Sequence, residues 1–154
     1  MANSVCDVLL TEARLQNAAG TAAATVQDVD LAAGAVVDFW GVVRGSQDGR
    51  AIEGIDYEAH GAMAEHQMRV IGDEAREKFR LNRIVLHHRI GFVRTGEASL
   101  FLQVTAKHRA AAFEASKWIV DALKERVPIW KRPRLRQASG VASADSPEKA
   151  FIRK

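Results

Sequence analysis

Arg83-Ile-Val-Leu-His-His-Arg-Ile90, Ala98-Ser-Leu-Phe-Leu-Gln-Val-Thr105 and Arg109-Ala-Ala-Ala-Phe-Glu-Ala-Ser-Lys-Trp-Ile-Val-Asp-Ala-Leu-Lys-Glu-Arg126 follow one another closely in the chain. The first two are rich in β-branched and apolar residues and are joined around Gly91 and Gly96, so they read as consecutive strands. The third sets Ala112, Ser116, Ile119 and Leu123 on one face, with Phe113 and Val120 beside it, and reads as a helix. Two strands in succession before a helix break the alternation that a parallel α/β sheet requires.

Working outward, Gly34-Ala-Val-Val-Asp-Phe-Trp-Gly-Val-Val-Arg44 is apolar, β-branched and aromatic, which predicts a buried strand. Phe39 is expected in the core, as is Trp130 further on. Gly45 to Gly49 reads as a loop from its turn residues, and Ala51 to Ala59 as an alternating strand. Met63 to Phe79 carries Ala64, Met68, Ile71 and Ala75 at helical spacing and predicts an amphipathic helix. Val5 to Leu10 reads as a first strand, whereas the stretch from there to Leu31 has weak periodicity. The expected fold is a single α+β domain with a mostly antiparallel sheet and packed helices. Its body spans residues 1–138, followed by a tail, 139–154, that is flexible or contacts a partner.

With 154 residues, 47% of them hydrophobic, the chain can bury a sizeable core. It has no apolar run of membrane-spanning length and no signal-peptide pattern at its start, so a cytoplasmic protein is expected. The single cysteine, Cys6, forms no internal disulfide and reads as a small core residue. The net charge of +3 is unevenly spread. Residues 1–123 carry 13 Lys/Arg against 16 Asp/Glu, a balance of −3, and residues 124–154 carry 9 against 3, a balance of +6. A basic patch from Lys124 to Arg136 implies either an anionic partner or a solvated tail.

Within that patch, Pro128 ends the helix and drives Val127 toward extended geometry. Lys124 then sits in the last helical turn and Lys131 on a segment that has turned away, so the two ammonium groups can converge on one anion. Arg44, where a strand meets a loop, is either a strand end or an anion-binding group. His108 and Arg109 open the second helix, whose N-terminal amides favour anions. The five histidines suggest no metal site, since His87 and His88 are adjacent on a strand and point to opposite faces. No cofactor-binding or phosphate-loop motif is present.

These pieces together resemble the large, catalytic subunit of molybdopterin synthase. The resemblance rests on residues 34–44, Tyr57-Glu58 with Met63, and His88-Arg-Ile-Gly91. It continues through Gly96-Glu97, His108-Arg-Ala-Ala-Ala-Phe-Glu-Ala115, Leu123-Lys124 and Val127-Pro-Ile-Trp-Lys131. It implies an α+β homodimer within a heterotetramer. A small ubiquitin-like sulfur-carrier subunit presents a C-terminal thiocarboxylate to it, and sulfur passes to cyclic pyranopterin monophosphate to make the molybdopterin dithiolene. The resemblance assigns catalysis to Lys124 and Lys131, and substrate binding to Arg44, His108 and Arg109. Both substrates are anions, and a cluster of cations offsets their repulsion.

The chain departs from the family after Lys131. Family members continue into an acidic, glycine-containing segment leading to a tryptophan, whereas here Arg-Pro-Arg-Leu-Arg-Gln-Ala-Ser-Gly140 follows with no later tryptophan. This departure bears on how the tail closes the site and which carrier is accepted. It keeps open a paralogue that binds the carrier without catalysis. A nucleic-acid-binding domain using residues 124–136 is the other alternative, although no nucleic-acid-reading motif accompanies the patch.

Overall fold

The computed structural model describes residues 6–15, 31–137 and 152–153. Most of the weakly periodic stretch before Leu31, and the tail apart from 152–153, lie outside them. In chain order the elements are β1 (Cys6–Thr11), β2 (Ala35–Val42), β3 (Ser46–Gln47), β4 (Arg50–Ala59) and α1 (Gly61–Phe79). There follow β5 (Arg83–Arg89), β6 (Gly91–Arg94), β7 (Ala98–Ala106), α2 (Arg109–Arg126), β8 (Ile129–Leu135) and β9 (Ile152–Arg153).

The strands form two sheets. One has the order β1-β5-β7-β2, and the other runs β3-β4-β8-β9 with β6 also paired to β4. Among the described residues every pairing is antiparallel except that of β1 with β5, which is parallel. The α+β expectation therefore holds, with one parallel pair added at the edge of the first sheet.

Gly91 marks the point where the chain passes from one sheet to the other. Its φ of 81° is a left-handed conformation that glycine adopts without steric cost. The chain leaves the first sheet at Arg89 and, beyond Gly91, pairs with β4 in the second. Asp48 and Gly49 also have positive φ, 50° and 77°, and make the two-residue turn between β3 and β4. The stretch from Gly45 to Gly49 is thus the end of a hairpin instead of an open loop.

Both helices lie against the first sheet, α1 on β1 and β5, α2 on β7 and β2. Ala64, Met68, Ile71 and Ala75, the stripe expected of α1, are all 0% exposed. Burying a side chain the size of Met68 or Ile71 contributes about 1.5–3 kcal/mol. On α2, Ala112, Ser116, Ile119 and Leu123 are likewise buried. Gly72 brings α1 close to β1, because a Cβ there would stand 2.5 Å from Cys6 Sγ. Cys6 accordingly packs against the core, and burial pushes its thiol pKa up. The strand expected to be buried is not: β2 lies at the edge of the first sheet, so Phe39 and Val42 are exposed, at 37% and 52%. Trp130, also expected in the core, is only half-buried because it lines a surface groove.

Candidate active site

The end of α2 is built as its proline demands. Val127 caps the helix in extended geometry, φ −91° and ψ 128°, with its N–H donating to Leu123 O at 3.1 Å. Lys124 therefore occupies the last turn, and β8 begins one residue after Pro128. Lys131 pairs with Tyr57 of β4, and cross-strand partners share a face of the sheet. Tyr57 is 6% exposed, so Lys131 is carried toward the interior and is itself partly buried.

The electrostatics of Lys131 show which groups surround it. Desolvation, first, holds its pKa below the ordinary lysine value; the positive charges of Lys124 and Arg44 add to this, and Asp48 opposes it. Lys124, Lys131 and Arg44 thus come from three separate elements to one locus, and Asp48 supplies a nearby negative charge. Asp48 was not singled out from the sequence, although its Asp-Gly hairpin signal was present in it.

Neighbouring arginines are arranged differently. Consecutive β8 residues point to opposite faces, so Arg132 and Arg134 leave the side that Lys131 takes. Both meet Asp56, at 3.8 Å and 2.9 Å, and Arg134 also lies 3.9 Å over the ring of Phe92. The basic run from Lys124 to Arg136 is therefore not one continuous positive surface. A groove of about 360 Å³ lined by Glu58, Ala59, His60 and Trp130 is on this other side, by the same alternation.

His108 and Arg109 form the opposite end of α2 and are exposed. Fifteen residues separate Arg109 from Lys124, about 22 Å at the helical rise per residue. Within one chain, then, Arg44, Lys124 and Lys131 come together, while His108 and Arg109 do not join them. His87 and His88 diverge as the strand geometry requires. His87 meets Asp7 at 3.2 Å, while His88 is 1% exposed under the helices. Among the described residues, no cluster of His, Cys, Asp or Glu is placed to hold a metal ion, and no helix is long and apolar enough to cross a membrane.

Comparison with known proteins agrees with this architecture. The family model described as MoaE protein matches residues 10–126. A molybdopterin synthase catalytic subunit from Oryza sativa subsp. indica is 47% identical over 103 residues, covering 67% of this chain and 53% of that protein. Its counterpart from Thermoplasma volcanium is 44% identical over 108 residues, covering 70% and 79%. The match thus spans about half the length of the rice protein. Among solved structures, the crystal structure of molybdopterin synthase from Staphylococcus aureus superposes with a TM-score of 0.71 at 30% identity, covering 86% of this chain and 92% of that one. The family match includes Arg44, His108, Arg109 and Lys124 and stops five residues short of Lys131.

Proposed function

The chain belongs to the MoaE protein family, and from that premise we propose that it is the catalytic subunit of a molybdopterin synthase. It transfers sulfur from the thiocarboxylated C-terminus of a small ubiquitin-like carrier to cyclic pyranopterin monophosphate. The observation that carries this reading is the meeting of Lys124, Lys131 and Arg44, with Lys131 partly desolvated and held below the usual lysine range. A thiocarboxylate and a phosphate repel each other, and cations from three elements offset that repulsion where the two must approach.

In each transfer a carrier sulfur forms a bond to a substrate carbon. That carbon gives up an oxygen substituent, which takes a proton as it leaves, and water then cleaves the carrier's acyl C–S bond, leaving the carrier as a carboxylate and the sulfur on the substrate. Lys124 acts closest to the reacting carbon, as the acid and base. Lys131 holds the thiocarboxylate or phosphate, with Arg44 beside it. Lys131, whose ammonium is destabilised by burial and then by the charges of Lys124 and Arg44, gives up its proton more readily than a free lysine. No resident cofactor or metal enters these steps, and the reaction belongs in the cytoplasm.

His108 and Arg109 fit the reading through a second copy. One chain cannot bring both ends of α2 to one small substrate, but the homodimer implied by the resemblance supplies another α2 N-terminus. In this proposal the partner copy's His108 and Arg109 complete the binding site for the pterin phosphate. The outer strand β2 of the first sheet, with Phe39 and Val42 exposed, and Phe113 on α2 offer apolar area to such a contact. Two carriers on that dimer make the heterotetramer.

The test mixes purified protein with thiocarboxylated carrier and cyclic pyranopterin monophosphate and assays for molybdopterin. Formation of the dithiolene supports the proposal. Tight carrier binding without product from any cognate carrier would establish the non-catalytic paralogue instead. A nucleic-acid role is disfavoured by the pairing of Arg132 and Arg134 with Asp56.

A further inference from the structure

Two stretches that carry the resemblance, His88-Arg-Ile-Gly91 and Gly96-Glu97, have no part in the proposed chemistry, yet they meet. Arg89 Nη1 donates to Glu97 Oε2 at 2.7 Å, with the two side chains only 12% and 21% exposed. The same carboxylate oxygen accepts from the Arg94 backbone N–H at 3.3 Å, and Glu97 Oε1 meets Arg14 at 2.7 Å. Arg89 also donates from Nε to the carbonyl of Glu12 at 3.3 Å. A carboxylate with three partners and an arginine with two are fixed in place, unlike an ion pair between two mobile side chains in water.

The turn that Glu97 closes holds the chain around Arg44. Glu97 O accepts from the N–H of Val43 at 3.0 Å, and the N–H of Gly96 donates to Val43 O at 2.8 Å. Gly96, with φ 87°, supplies the left-handed step of this turn. Val43 is 3% exposed and immediately precedes Arg44. On the other side, Gly45 O accepts from the N–H of Ile52 on β4 at 3.0 Å. Thr95 binds β4 as well, its N–H to Glu53 O and its hydroxyl to Ile52 O, both at 3.0 Å. Both chain neighbours of Arg44 are therefore pinned, and Thr95-Gly96-Glu97 ties the two attachments together.

These bonds lie on the boundary between the sheets. Among the described residues, three connections pass directly from a strand of one sheet to a strand of the other: β2 to β3, β5 to β6, and β6 to β7. Val43 and Arg44 lie on the first, Arg89 leads into the second, and Glu97 ends the third. The cationic locus straddles the same boundary. Lys131 is on β8 of the second sheet, and Lys124 is on α2, packed against the first. Arg44 is on the crossing between them, where its charge acts on Lys131.

We infer that Arg89 and Glu97 are positioning residues for Arg44: their ion pair locks the crossing that carries it and so sets where its guanidinium meets the substrate anion. The role rests on the sulfur-transfer reading, in which Arg44 binds substrate beside Lys131. An ion pair that only stabilised the fold would weaken the site to the same degree whether or not Arg44 were present.

The experiment uses the full chain in complex with the carrier and the variants Glu97→Gln, Arg89→Gln, Arg89→Lys, Arg44→Ala and the double variant Arg44→Ala/Glu97→Gln. Carrier without its thiocarboxylate permits no turnover, so calorimetry reads the Kd for cyclic pyranopterin monophosphate alone. Thiocarboxylated carrier then gives KM and kcat. Arg44→Ala is expected to weaken Kd about tenfold, the scale of one hydrogen bond to a charged group. Glu97→Gln and Arg89→Gln should each weaken it about threefold, part of that contact, with KM following and kcat within about twofold of wild type. Arg89→Lys keeps the charge and should stay within about twofold of wild type in Kd. In the Arg44→Ala background, Glu97→Gln should cost nothing further, because the group it positions is gone.

Folded Glu97→Gln protein with wild-type Kd overturns the inference, as does a loss of equal size in both backgrounds or an Arg89→Lys variant no better than Arg89→Gln. Should Glu97→Gln fail to fold, Arg89→Gln takes its place in both backgrounds with the same expectations. Failure of the sulfur-transfer reading looks different. Wild-type protein that binds the pterin but makes no molybdopterin sinks that reading, while a loss of affinity confined to the Arg44-containing background still upholds the role of the pair. Wild-type protein that does not bind the pterin overturns both.

Discussion

Lys124 acts on Lys131 across the break at Pro128, its positive charge adding to the desolvation that holds the Lys131 ammonium below the ordinary lysine range. Two residues seven apart in the chain are brought to one locus because the helix ends at Arg126 and β8 returns alongside β4. Like charges held together in a partly buried place oppose folding, and an anion bound between them would offset that repulsion. Strain of this kind is the usual cost of a preorganised cationic site.

Lys124→Ala tests the more exposed member. Lys124 is exposed in the last turn of α2, so truncation should change stability by less than about 0.5 kcal/mol. Carrier binding should persist, while dithiolene formation should fall by about a hundredfold or more, the range of a lost acid or base. Single-turnover assays and a melting curve check both halves. Near-normal turnover removes Lys124 from the mechanism.

Lys131→Met should show the opposite sign in stability. Lys131 binds its proton less tightly in the folded chain than in the unfolded one. Between the folded value and the ordinary 10.5 the unfolded state carries more protons, so stability rises with pH. Below the folded value the penalty is present in full, and above 10.5 it is gone. Methionine keeps the apolar stem and removes the charge. The variant should therefore melt about 2 °C or more above wild type at pH 7, with the gap narrowing toward pH 10.5, and it should lose activity. A gap that stays constant with pH would show that charge is not its cause.

Much of this arrangement was legible in the sequence, and the limits of that reading have physical causes. The stripe on α1 and the bounds of α2 follow from helical spacing and from Pro128, which are local. β8 was read only as a segment that turns away, because Pro133 interrupts it and its arginines resemble a solvated tail; a proline in a run argues against a strand. What makes β8 a strand is pairing with β4 more than 70 residues earlier, and no local pattern encodes that. The four residues of β6 are too few to show a period. The resemblance pointed to His108 and Arg109 together with Lys124, and only the length of α2 reveals that one chain holds them apart.

Gly54→Ala probes the contact between β4 and β6. A Cβ at Gly54 would collide with the carbonyl oxygen of Val93 and with the ring of Phe92. The ring can turn but the backbone carbonyl cannot move without breaking the β4–β6 pairing, so the variant should lose about 2 kcal/mol or more. Chemical denaturation measures the loss. Because β8 lies along the same strand β4, the lysine locus should loosen with it, lowering turnover further than stability alone accounts for. A variant as stable as wild type would show that β6 can shift at little cost.

Mixing two inactive variants distinguishes a site within one chain from a site shared between two. In a homodimer whose sites each take Lys124 from one copy and His108 with Arg109 from the other, a mixed dimer of Lys124→Ala and His108→Ala chains holds one intact site. The second site carries both defects. Random co-assembly places half of the dimers in the mixed state, so activity should return to about a quarter of wild type from two parents that are each nearly inactive. If each site is built within a single chain, both sites of the mixed dimer carry one defect and nothing is recovered. The 22 Å or so between the two ends of α2 makes the first outcome the expected one, and co-expression with two affinity tags isolates the mixed dimer for assay.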